Sequence, residues 1–211
     1  MFTVLRRPYF WIRDHYYTYI LSNLVRFFLK ALGIKVGKNF FARAFPSVVL
    51  DNVSDLSIGD DVVLKGPVEI RSIKGAKVTL ESGVRLDTGV RIVATNKAKV
   101  AFLEGADIGC YSIFNCGDDF TIGRDCLVAG YCYFQTSDHN IQKGKVIKNQ
   151  GHTHGAIKIG DDVWVAGGSF ILSGVTIDHG CVVGANSVVN KSLTANEIAV
   201  GSPAKVIGNR R

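Results

Sequence analysis

From Ile159 onward an apolar residue recurs at every sixth position: Ile159, Val165, Ile171, Ile177, Val183 and Val189. The hexads read IGDDVW, VAGGSF, ILSGVT, IDHGCV, VGANSV and VNKSLT. Their fifth positions, Val163, Ser169, Val175, Cys181, Ser187 and Leu193, are mostly small or β-branched. A period of six is neither the helical 3.6 nor the 2 of simple strand alternation. It predicts one short flat strand and one tight corner per hexad, with three sides closing a coil of about 18 residues. Stacked coils then pair their strands in parallel and bury a column of Ile and Val. The fifth residue faces the narrow corner, so it is small, while Gly, Asn and Asp supply corner conformations with φ > 0.

The same spacing appears earlier, with breaks. IGDDVV (58–63) runs into LKGPVE (64–69) and Ile70; Val78, Val84 and Val90 follow, then Phe102, Ile108 and Phe114, then Ile122, Val128 and Phe134. Cys126, Cys132 and Cys181 fall on the small fifth position, where a buried thiol is inert. Between 138 and 156 the period is lost in DHNIQKGKVIKNQGHTHGA, which predicts a protruding loop of the kind that carries function. Beyond 194 the repeat ends in a segment expected to cap the open coil. The chain therefore divides into an N-terminal helical segment (1–33), a β-helix (34–194) with loop 138–156, and a C-terminal cap (195–211).

Residues 1–33 follow a different pattern. Phe10, Trp11, Tyr16, Tyr17, Ile20, Leu21, Leu24, Val25, Phe27, Phe28 and Leu32 crowd this segment, flanked and interrupted by Arg6, Arg7, Arg13, Arg26 and Lys30. This predicts an amphipathic helix with a wide apolar face, ending near Gly33. Such a face packs on the protein or a neighbouring subunit, or attaches peripherally to a membrane surface.

Composition narrows the classes. With 47% hydrophobic and 20% charged residues the chain is ordered and globular, and 4 prolines argue against a loop-rich fold. The net charge of +7 fits an anionic partner: nucleic acid, a membrane face or a phosphate-bearing cosubstrate. Five cysteines, an odd number without a CxxC pair or a secretory apolar stretch, argue against disulfides and structural zinc. They fit a cytoplasmic location, at the inner membrane face if the N-terminal helix binds lipid. No run of 18 apolar residues predicts a spanning helix.

The stretch FNCGDDFTIGRDCLVAGYCYFQTSDHN, with the hexads from Ile159 and the closing NEIAVGSPAKVI, resembles the hexapeptide-repeat acyltransferases. The likeness is strongest to the branch holding maltose, galactoside and surface-polysaccharide O-acetyltransferases. It implies a left-handed parallel β-helix, an unusual hand for parallel crossovers. It further implies a homotrimer with sites between prisms, acetyl-CoA as cosubstrate, a carbohydrate acceptor, and neither metal nor nucleic acid. Within Thr136-Ser137-Asp138-His139, the family's general base matches His139. Asp138 is the nearest carboxylate to orient it and, with Asn115, matches the acceptor side. Gly167 and Ala185 match contacts to acetyl-CoA, Trp164 the aromatic after the IGDDV strand, and Lys191 and Lys205 the groups near the CoA phosphates.

A base near neutrality suits hydroxyl attack on a thioester, which an imidazole provides. His152 and His154 share the loop and are the alternative bases; His15 and His179 read as structural. The run Asn-Ile-Gln-Lys-Gly-Lys after His139 and the aromatic N-terminus depart from the sugar acetyltransferases and point to an envelope glycan. N-acetylation of an amino-sugar nucleotide, a γ-carbonic-anhydrase-type zinc site and a non-catalytic scaffold are the competing readings.

Overall fold

A computed structural model of the chain describes residues 6–211, with side chains from Tyr16 onward. Arg6, Arg7, Phe10, Trp11, Arg13 and His15, named above, lie outside the residues whose side chains are described. One helix, α1 (Arg6–Ala31), precedes a three-sided stack of short strands. The first and third faces hold seven strands each and the second holds nine. The first face begins with Lys35–Val36, the second with Phe41–Ala42 and the third with Ser47–Leu50. Successive strands of a face pair in parallel, as in a parallel β-helix.

The register shows how many residues each coil takes. On the first face Val36 pairs with Ile58, Ile58 with Leu80 and Leu80 with Phe102, a step of 22 residues. Phe102 pairs with Ile122, a step of 20, and only Ile159 to Ile177 shows the expected 18. Two sides of the earlier coils keep the hexad, as in Ile58–Leu64–Ile70, and the third side is longer. Here the structure corrects the uniform 18-residue coil. It also moves Val78, Val84 and Val90 off the first-position column: Leu80, Leu86 and Ile92 occupy it. All six are buried, so burial alone made both columns look alike in the sequence. Leu193, placed at a fifth position above, instead bridges to Ile177 and extends its column, because the last coil is shorter by two residues.

The columns interlock. Phe102, Phe114, Phe120 and Phe134 are fully buried, with the Phe114 and Phe134 rings stacked at 4.7 Å and the Phe102 ring edge-on to Phe114 at 4.9 Å. This aromatic plug fills the interior of the coils next to the loop insertion.

Corners use the expected residues, and lysine and tyrosine besides: Lys74 and Lys97 take φ of 56 and 64°. Asp61, Asp125, Asp162 and Asn186 take φ between 53 and 57°. Tyr111 and Tyr131 do so as well, at 57 and 62°, and their rings stack at 5.5 Å along the outside of one corner. The thiols of Cys126 and Cys181 donate to the carbonyls of Gly160 (3.0 Å) and Thr194 (2.9 Å) in the next coil. Burial pushes the Cys126 thiol up to about 11, which keeps it protonated.

At the C-terminal end Glu197–Val200 still pairs in parallel with Val182–Val183, and Lys205–Asn209 then turns back antiparallel. At the other end α1 lies on the first coil through one stripe, Ser22, Val25 and Leu29. Ser22 Oγ donates to the Phe40 carbonyl (3.0 Å) and accepts from the Ala42 N–H (3.1 Å). No helix among the described residues is long and apolar enough to cross a membrane.

Candidate active site

The loop that interrupts the period is a hairpin. On the first face Ile122 pairs with Ile159, a step of 37 residues, so the insertion adds 19 to an 18-residue coil. It leaves the third face after strand Tyr133–Gln135 and returns to the first face at Ile157–Ile159. Strands Ser137–His139 and His152–His154 pair antiparallel, with His139 opposite His152 and Ser137 opposite His154.

Strand alternation sorts the side chains. Ser137, His139, His152 and His154 share one side of the hairpin, and Asp138 and Thr153 the other. The His139 and His152 rings lie 4.2 Å apart between centroids. His154 packs over Gly117 of the preceding coil, where an added Cβ would meet its ring at 3.1 Å. Asp138 accepts a hydrogen bond from Ser173 Oγ, on the following coil. It points away from His139, so it anchors the hairpin and does not fix the imidazole. The three histidine rings do not form a metal-holding group among the described residues.

The hairpin base is built from buried and paired groups. Thr136 is fully buried; its carbonyl accepts from the Gly155 N–H (2.9 Å) and its Oγ1 from the Asp118 N–H (3.0 Å). These bonds close the neck of the loop. Asn115 faces outward from the third face and pairs with Gln135. Gln135 Nε2 donates to the Ser137 carbonyl (2.5 Å), and Tyr133 OH donates to Gln135 Oε1 (2.8 Å). A polar row thus runs from Asn115 to the hairpin. The sequence does not mark Gln135, Tyr133 or Ser173: the first two bond across turns of the backbone that no motif signals, and Ser173 meets Asp138 from another coil. At the loop tip Gln150 holds Gln142 and Lys145 by side-chain hydrogen bonds of 2.7–3.2 Å, giving the exposed excursion a defined shape.

The other sequence-predicted residues stand elsewhere. Gly167 and Ala185 occupy one corner between the second and third faces, one coil apart; the Gly167 carbonyl accepts from the Asn186 N–H (2.9 Å). Among the described residues the N–H groups of Gly167 and Ala185 make no backbone hydrogen bond. Trp164 is half-exposed on the second face beside Leu127 and Val182, in a shallow cleft of about 240 Å³ that reaches Arg210. Lys205 is exposed and starts the final strand. Lys191 is exposed at the corner used by Ser173, one coil further on. His179 is an exposed corner residue whose ring meets Asp178 at 3.1 Å; the His179 N–H and ring hold the Asp178 carboxyl below the ordinary carboxylate range.

The Gly167 corner and the hairpin corner therefore bound opposite edges of the third face. Gly168 to Ser173 is five residues, about 16 Å at ~3.3 Å per residue.

Residues 156–191 match the bacterial transferase hexapeptide (six repeats) family. Over those residues, a sixth of its length, the chain is similar to that family. Over 120 residues the chain is 33% identical to a probable acetyltransferase of Mycobacterium tuberculosis, which covers 56% of the chain and 40% of that relative. It is 30% identical to the putative lipopolysaccharide biosynthesis O-acetyl transferase WbbJ of Escherichia coli K12, covering 56% of the chain and 65% of WbbJ. It is 37% identical to the putative colanic acid biosynthesis acetyltransferase WcaF of the same organism, covering 50% and 54%. The chain thus spans between two fifths and two thirds of the length of these curated relatives. Among solved structures, the coil stack superposes on AntD, an N-acyltransferase from Bacillus cereus in complex with dTDP and 3-hydroxybutyryl-CoA. The TM-score is 0.63 with 20% identity, covering 88% of each chain. This likeness shows the shared fold.

Proposed function

We propose that this protein is an acetyl-CoA-dependent O-acetyltransferase acting on a sugar hydroxyl of a lipopolysaccharide, capsule or other envelope glycan. The observation that carries the reading is the hairpin. One coil is interrupted, and its insertion presents His139 on the outside of a rigid prism, next to the polar row that begins at Asn115. The names of the relatives WbbJ and WcaF support an O-linked acceptor in an envelope polysaccharide.

In this reading His139 takes the proton of the acceptor hydroxyl as its oxygen bonds to the acetyl carbonyl carbon. The carbon–sulfur bond then breaks, and the proton passes to the CoA thiolate. In the same reading the N–H of Gly167 donates to the carbonyl oxygen as negative charge gathers there. Lys191 and Lys205 attract the CoA phosphates, and the cleft at Trp164 holds apolar parts of the cosubstrate.

The distribution of these residues supports a homotrimer. The hairpin and the Gly167 corner lie at opposite edges of one face, so they meet across the cleft between two copies more readily than within one.

The test is CoA release from acetyl-CoA with candidate glycans, followed by mass detection of the product. An acetyl ester, removed by hydroxylamine, is expected; an amide stable to hydroxylamine would move the reading to N-acetylation. His139→Ala is expected to lower kcat by about 100-fold or more with the oligomer intact. Full activity in that variant, with loss in His152→Ala, would transfer the base to His152.

A further inference from the structure

Helix α1 is longer and more apolar than its attachment requires. Its 26 residues span about 39 Å at ~1.5 Å per residue. Of its described side chains, only Ser22, Val25 and Leu29 are buried. Tyr16, Tyr17, Tyr19, Phe27 and Leu32 are each 64–68% exposed, and Ile20, Leu24 and Phe28 are 43–51% exposed. Phe45 of the first coil joins them, its ring 5.8 Å from Phe28. Exposed apolar area on this scale marks a contact surface.

The charge of the chain points to what it contacts. Residues 1–50 contain eight Lys and Arg and a single acidic residue, Asp14. The whole formal charge of +7 therefore sits in that segment, and residues 51–211 are neutral in sum. Lys30 and Arg43 are exposed beside the aromatic surface. A second copy would bring two such cationic segments together and repel. An anionic lipid surface takes up both features: aromatic and aliphatic side chains enter the boundary between headgroups and acyl chains, and the basic groups lie among the phosphates. Over its described residues the helix is not long and apolar enough to cross a membrane.

We infer that α1 and the adjoining edge of the first coil form a docking surface for an anionic bilayer, along which the helix lies flat. The proposal is independent of the acetyl-transfer reading.

Vesicle co-sedimentation of the full chain tests it, with phosphatidylcholine vesicles that contain or lack phosphatidylglycerol. Binding is expected only with the anionic lipid, and it falls with added salt. Phe27→Gln with Phe28→Gln, and separately Lys30→Glu with Arg43→Glu, should each weaken binding about tenfold or more. Circular dichroism and sedimentation equilibrium accompany each variant, and Tyr19→Gln with Ile20→Gln replaces any variant that does not fold. Absence of binding to the anionic vesicles overturns the proposal, as does undiminished binding by the folded variants. A fall in oligomeric mass in the aromatic variants would assign the face to contact between copies and overturn it too.

Discussion

Gly123 and Gly160 stand where the backbone of one corner meets that of the next. An added Cβ at Gly123 would run into the Gly160 carbonyl group, and one at Gly160 would reach the His179 nitrogen at 2.6 Å. Backbone cannot yield as a flexible side chain does, so Gly123→Ala should cost about 1–3 kcal/mol in denaturant unfolding. The thiols respond to the same confinement. Cys116, Cys126, Cys132 and Cys181 are buried and their thiols are pushed up by desolvation, whereas Cys110 is partly exposed. In native protein at neutral pH a disulfide reagent should therefore titrate Cys110 alone, and all five cysteines after unfolding.

Among the elements, the hairpin and the aromatic plug depend on neighbours in different coils. The hairpin is pinned by Asp138 to Ser173 on one side and by His154 over Gly117 on the other. Ser173→Ala should leave the coil stack folded but loosen the hairpin, lowering kcat several-fold without changing the melting temperature; an unchanged kcat would deny Ser173 a positioning role. Phe114 contacts Phe102, Phe120 and Phe134 in a closed interior. Phe114→Ala should cost about 3–5 kcal/mol, read as a lower denaturant midpoint, because the rigid coils around it cannot collapse into the void.

At the scale of the molecule, the proposed function puts the site between copies, and that can be tested. A His139→Ala chain and a Gly167→Val chain would each be inactive alone. When the two are unfolded together and refolded, mixed trimers contain clefts in which both contributing halves are intact. Partial return of activity is expected in the mixture. Its absence, with mixed trimers demonstrated, would place His139 and Gly167 in one chain's site.

The sequence by itself determined the repeating architecture. A six-residue period from Ile159 to Val189 admits one way of burying its apolar column, and the loss of that period at 138–156 marked the loop. It also singled out His139 as a candidate base, through the motif around it. What only the tertiary structure decided is everything that depends on the step between coils. The third side lengthens the early coils to 22 residues, so Val78, Val84 and Val90 belong to a different column from the one their spacing indicated. Asp138, adjacent to His139 in sequence, is carried to the opposite side of the hairpin by strand alternation and bonds Ser173, 35 positions away. The N-terminal pattern announced a helix, but which of its side chains the first coil covers followed from the narrow contact at Ser22, Val25 and Leu29. Periodicity along the chain specifies which residues point inward; the register between coils specifies which of them meet, and local sequence does not encode it.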